Sequence, residues 1–260
     1  MTGLPSSETV VSSSSRRSRA EDLAVALSTQ AGVTIPVDLE SLGAFMGVSR
    51  ITKERMVEDG RLRWFDGAPS IALNSDRPEV RQRFTLAHEL AHILLAKNAI
   101  GVSFRTAVTQ HSEQSERMCD AIAASILMPN SIVTEQIASA DGLIDLRLLR
   151  AIASRCRVSM SAAASRVSEV IDETCWLIRW NRSEGKWTCV FRAGLPYEFA
   201  SSRIELTNET ELTLSRLSLS LTSWKELTIV IDNARMNSRC QISRDRSGCL
   251  MLIRQLSPLT

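Results

Sequence analysis

The pattern His88-Glu89-Leu90-Ala91-His92, set inside a helical run, constrains this chain more than any other feature of its sequence. From about Glu79 to Lys97, Phe84, Ala87, Ala91, Leu94 and Leu95 recur at helical spacing, which predicts one long helix. Imidazoles four positions apart share a face of such a helix, so His88 and His92 can reach one ion. A zinc site built for hydrolysis takes three protein ligands and keeps a fourth position for water, so one ligand must come from elsewhere. Glu89, next to the first imidazole, is expected on the side of the water. There it can take a proton and later pass it on as a general base and acid.

The next predicted helix, Glu113 to Met128, is stopped by Pro129 and offers Glu113, Glu116 and Asp120 as acidic candidates, with His111 just before it. Glu116 is the expected third ligand. It lies one turn before Asp120, so both point the same way, and Met118, Ile122, Ile126 and Leu127 can pack this helix beside the first. Asp120 is then expected to hydrogen-bond the free N–H of His88 or His92 and fix its tautomer; its plainer reading is a solvated acid or a packing contact. An oxyanion usually needs a donor besides the metal. Between the single tyrosine, Tyr197, and the spare histidine, His111, placement before the ligand helix favours His111.

Around this pair of helices the chain reads as α+β. The Ser-rich residues 1–19 are expected to form a disordered tail. Residues 20–140 are read as the metal-bearing domain, with a first helix from Ala20 ended near Gly32, a second capped by Asp38, and two or three short antiparallel strands between Val48 and Asn74. Residues 141–173 form a helical element, Leu143 to Arg155 and Met160 to Ile171 about a turn at Arg157-Val158-Ser159, which resembles a helix-turn-helix. Residues 174–260 read as a β-rich domain containing the strands RIELT and ELTLS, with hairpin turns at Ser183-Glu184-Gly185 and Arg244 to Gly248.

Thirty-one Lys and Arg against 29 Asp and Glu leave a net charge of +2, short of the excess of a dedicated nucleic-acid binder. No apolar run suits a signal peptide or membrane span, so a cytoplasmic location is expected. The six cysteines show no CxxC pairing and read as reduced, mostly buried thiols.

Taken together, Ile35-Pro36-Val37-Asp38-Leu39-Glu40, Ile71-Ala72-Leu73-Asn74, Arg83 through Leu95, and Glu116 through Ala123-Ala124-Ser125-Ile126-Leu127-Met128-Pro129 resemble the ImmA/IrrE family of bacterial metallopeptidases. The resemblance covers about Ala20 to Val170 and implies a zincin-like peptidase domain. It makes His88, His92 and Glu116 the ligands of one catalytic Zn2+ and Glu89 the base. It further implies a regulatory endopeptidase that cuts a helix-turn-helix repressor and so releases mobile-element or stress-response genes. Ala91, Cys119, Asp120 and Ile122 depart from residues common in that family. The competing expectations are a zinc-containing regulator that binds DNA through residues 146–167, and a protein that sequesters a partner without cutting it. For the enzyme, an exposed strand at 70–74 is expected to pair with the substrate backbone.

Overall fold

The computed structural model describes residues 13–65, 67–98, 113–171, 175–194, 202–217, 223–244, 246 and 248–258. Among them are eight helices and two sheets, divided between two compact units, 1–129 and 130–260.

The first unit contains helices α1 (Ser13–Ala31), α2 (Leu39–Phe45), α3 (Glu79–Lys97) and α4 (Glu113–Leu127), with strands β1 (Arg50–Glu54), β2 (Gly60–Phe65) and β3 (Ala68–Asn74). Helix α3 is apolar on most of its circumference: Leu86, Ala87, Leu90, Ala91, Ile93 and Leu94 are all buried. It packs against α4 on one side and against α2, β2 and β3 on others. Helix α4 buries Cys119, Ile122, Ala123, Ile126 and Leu127, and α1 packs on it through Ala20, Ala24 and Leu27, spaced four and three residues apart. Helix α1 starts at Ser13, so residues 13–19, expected in the tail, are helical; residues 1–12 lie outside the described ones. Asp38 caps α2, its carboxylate accepting from the backbone N–H of Glu40 and Ser41.

The small sheet departs from an all-antiparallel meander. Its order is β1-β3-β2: β2 runs antiparallel to β3, but β1 runs parallel to it, from Arg50 opposite Ser70 to Glu54 opposite Asn74. The link from β1 to β2 therefore crosses the end of β3, and Asn74 holds it there. The Asn74 amide donates to the carbonyls of Met56 at 2.6 Å and Glu58 at 3.0 Å, while its Oδ1 accepts from the N–H of Asp76 at 3.0 Å. Residues 70–74, expected as an exposed strand for a substrate, belong to β3, whose two edges are already paired.

The second unit joins helices α5 (Asn130–Ser139), α6 (Leu146–Cys156) and α7 (Met160–Ile171) to strands β4 (Trp176–Ser183), β5 (Lys186–Ala193), β6 (Ile204–Leu206), β7 (Lys225–Ile231), β8 (Ala234–Arg244) and β9 (Gly248–Pro258), with α8 (Asn208–Arg216) between β6 and β7. The six strands form one antiparallel sheet in the order β5-β4-β9-β8-β7-β6. Glu184-Gly185 and Asp232-Asn233 turn two of its hairpins with positive φ, as tight two-residue turns require. Trp176, Ile178, Trp180, Ile229, Ile242 and Met251 are among the residues of its core.

One expectation meets a different structure here. Residues 211–215, ELTLS, are helical within α8 because the Thr207 hydroxyl accepts from the Thr210 N–H and starts a helix. Leu214 is fully buried while Leu212 is exposed; on a strand the two would share a face. The helical element at α6 and α7 is also tied to the sheet. The Leu146 N–H donates to Gln241 Oε1 at 2.9 Å, Gly194 N–H donates to Ser165 Oγ at 3.1 Å, and Ser168 Oγ donates to the Gly194 carbonyl at 3.2 Å. No helix among the described residues is long and apolar enough to cross a membrane.

Replacing Asn74 with Ala leaves two carbonyls of the crossing link without their donor. The variant is expected to lose about 1–3 kcal/mol of unfolding free energy. Urea titration checks this, and an unchanged midpoint would contradict the role given to Asn74.

Candidate metal centre

Helices α3 and α4 bring three donor side chains to one point. His88 and His92 are one turn apart on α3, and Glu116 faces them from the first turn of α4. His88 Nε2 lies 3.1 Å from His92 Nε2 and 3.2 Å from Glu116 Oε2, and His92 Nε2 lies 3.5 Å from Glu116 Oε1. Ligands held about 2.0–2.1 Å from a tetrahedral ion stand roughly 3.3 Å from one another, and with one atom taken from each residue the three lie within 4.8 Å of one another, close enough to share a single metal ion. The donor set suits it as well, two imidazole nitrogens and a carboxylate oxygen being a set that catalytic sites of this geometry use. His92 is buried and His88 nearly so, at 8% and 18% side-chain exposure, whereas Glu116 is open at 39%. The site therefore has a dry floor and an accessible rim.

Without a metal, two imidazole nitrogens 3.1 Å apart cannot both present lone pairs without repulsion. His88 is the group that the surroundings favour for an extra proton. Burial by itself lowers its pKa, but the hydrogen bond and charge of Asp120, together with the charges of Glu89 and Glu116, outweigh burial and hold the pKa above the ordinary imidazole value. Asp120 Oδ1 accepts from His88 Nδ1–H at 2.9 Å, which turns Nε2 toward the other donors. Cys119 lies beneath, fully buried; burial, then the charges of Glu116, Asp120 and Glu89, push its pKa far up, so it stays a neutral thiol.

Thus His88, His92, Glu116 and Asp120 stand together, with Glu89 beside His88 on the same helix. His111 and Tyr197 lie outside the described residues. Sequence reasoning missed one neighbour of the site. Gly60, read only as part of an Asp59-Gly60 turn, sits at the start of β2 against Thr85 and Glu89 of α3. Its sole signal in the sequence is a glycine opening a strand pattern, which marks close approach as readily as a turn.

A His-His-Glu cluster on two packed helices beside a small sheet could hold a metal ion, and comparison with known proteins finds metallopeptidases among those the chain resembles. Residues 40–168, just under half of the chain, match the family described as the IrrE N-terminal-like domain, which supports a likeness to the ImmA/IrrE metallopeptidases. The radiation response metalloprotease IrrE of Deinococcus radiodurans is 37% identical over 116 residues, which make up 42% of this chain and 35% of that protein. The chain thus matches about a third of that relative's length. A solved structure of a Mycobacterium tuberculosis transcriptional regulator superposes on 93% of this chain and 80% of its own at a TM-score of 0.49 and 11% identity, a likeness too distant to bear on fold or function.

Metal uptake at this site is expected to weaken as the pH falls through the raised pKa of His88, because the ion must displace that proton. Asp120→Ala should weaken it about 10–100-fold at neutral pH by releasing the ring of His88. Competition titration against a chelator measures both, and equal affinity in wild type and variant would contradict the role of Asp120.

Proposed function

We propose that this chain is a zinc-dependent endopeptidase with a regulatory role, cutting a helix-turn-helix repressor and so derepressing mobile-element or stress-response genes. The observation that carries the enzymatic part is the convergence of the donor atoms of His88, His92 and Glu116 to within 4.8 Å of one another. These three would hold zinc, which when bound supplies Lewis-acid polarisation of the scissile carbonyl. Glu89 takes a proton from the attacking water and delivers it to the leaving amine nitrogen. Asp120 holds His88 in the tautomer that leaves Nε2 free to ligate. For the oxyanion, His111 is the added donor we assign, on its place in the sequence just before α4.

Support for a protein substrate comes from β2. Among the described residues it is an edge strand, paired on one side only. Asn74 N–H donates to the Asp59 carbonyl at 2.9 Å, and antiparallel partners alternate between bonded and non-bonded pairs. Gly60 and Leu62 therefore turn their backbone N–H and C=O toward the open edge, where an extended peptide can add as a strand. We accordingly move the substrate from residues 70–74 to β2. The repressor as target rests on the family resemblance, and the relative named a radiation response metalloprotease is in keeping with a stress-linked role.

The test compares wild type with Glu89→Gln at equal zinc loading on a repressor encoded beside the gene. Stoichiometric zinc in both, with cleavage by wild type alone, is the expected result, the loss being at least about a hundredfold. Zinc in both, no cleavage by either and tight DNA binding would replace this reading with that of a non-proteolytic regulator.

A further inference from the structure

Gly60 is not where it is for want of a left-handed backbone: among the described residues the glycines with positive φ are at positions 32, 47, 67, 142, 185 and 194. Its reason is space. A β-carbon on Gly60 would overlap Cγ2 of Thr85 and come within 3.2 Å of Glu89 Oε1. Thr85 is only 6% exposed, and its branched side chain on a helix has little freedom to turn the methyl away. Strand β2 is equally unable to retreat. The preceding residue, Asp59, is clamped by Arg77 at 2.6 Å and Arg81 at 2.5 Å, and its carbonyl is held by the Asn74 N–H. The hydrogen bond and charge of Arg81, then the charge of Arg77, hold the Asp59 carboxyl below the ordinary range, so the clamp stays charged at neutral pH. Thr85 and Glu89 are one helical turn apart and share the face that meets β2.

We propose that Gly60 is a positioning residue for the proton-transferring carboxylate. The bare backbone at this one position lets Glu89 settle between α3 and β2, and the Thr85 methyl makes any side chain there displace the carboxylate. The inference rests on the reading of Glu89 as the base. It predicts a defect in the carboxylate with the metal donors intact, and a cure that acts from Thr85.

Cobalt-loaded full-length protein and acetohydroxamate provide the test, since the bound hydroxamate surrenders its hydroxyl proton to a neighbouring carboxylate and its binding is read from the visible spectrum. Gly60→Ala should take up cobalt as wild type does yet bind acetohydroxamate about tenfold more weakly or worse, in line with the cost of a displaced catalytic group. Thr85→Ser alone should bind normally. The double variant Gly60→Ala/Thr85→Ser, with the obstructing methyl gone, should recover most of the lost affinity. Normal binding by Gly60→Ala overturns the proposal, as does a double variant no better than Gly60→Ala, or loss of cobalt in Gly60→Ala. Failure of the underlying reading looks different: wild type takes up no cobalt, or Glu89→Gln binds acetohydroxamate as tightly as wild type, and the proposal falls with it.

Discussion

The ligating atoms of His88, His92 and Glu116, one from each residue, stand within 4.8 Å of one another because α3 packs on α4. Leu90, Ile93, Ile122 and Ile126 are completely buried on these helices and set their register. The apolar environment beneath the donors also keeps Cys119 protonated, so oxygen and nitrogen decide which ion fits.

The small sheet depends on the same helix. Because β3 is shielded on both edges and its Ile71 and Leu73 are buried, it acts as a spacer that holds β2 at a fixed height over α3. Asn74 serves both parts: its side chain fixes the link between β1 and β2, and its backbone N–H fixes Asp59. Strand β2 and the donors on α3 are thereby joined through packed elements.

How much of this was legible in the sequence follows from how local each feature is. The cluster of His88, His92 and Glu116 could be read because one helix sets the imidazole spacing, and the apolar run Ile122 to Leu127 marks the second helix as its neighbour. The parallel pairing of β1 could not, since the crossing depends on what Asn74 bonds, and an asparagine at a strand end has several possible partners. Alternating Leu212 and Leu214 suggested a strand in place of α8, where the capping hydroxyl of Thr207 outweighed that pattern. Gly60 was hidden for a related reason: its cost in space is paid by Thr85, 25 positions away in the sequence and visible only once β2 and α3 meet.

The central claim, that α3 and α4 hold one zinc ion through two imidazoles and a carboxylate, is tested most directly by X-ray absorption at the zinc edge of the loaded protein. The account predicts a shell of nitrogen and oxygen only, about 2.0–2.1 Å from the metal, with the outer scattering of two imidazole rings. A sulfur scatterer at about 2.3 Å, or a shell without imidazole, would contradict it.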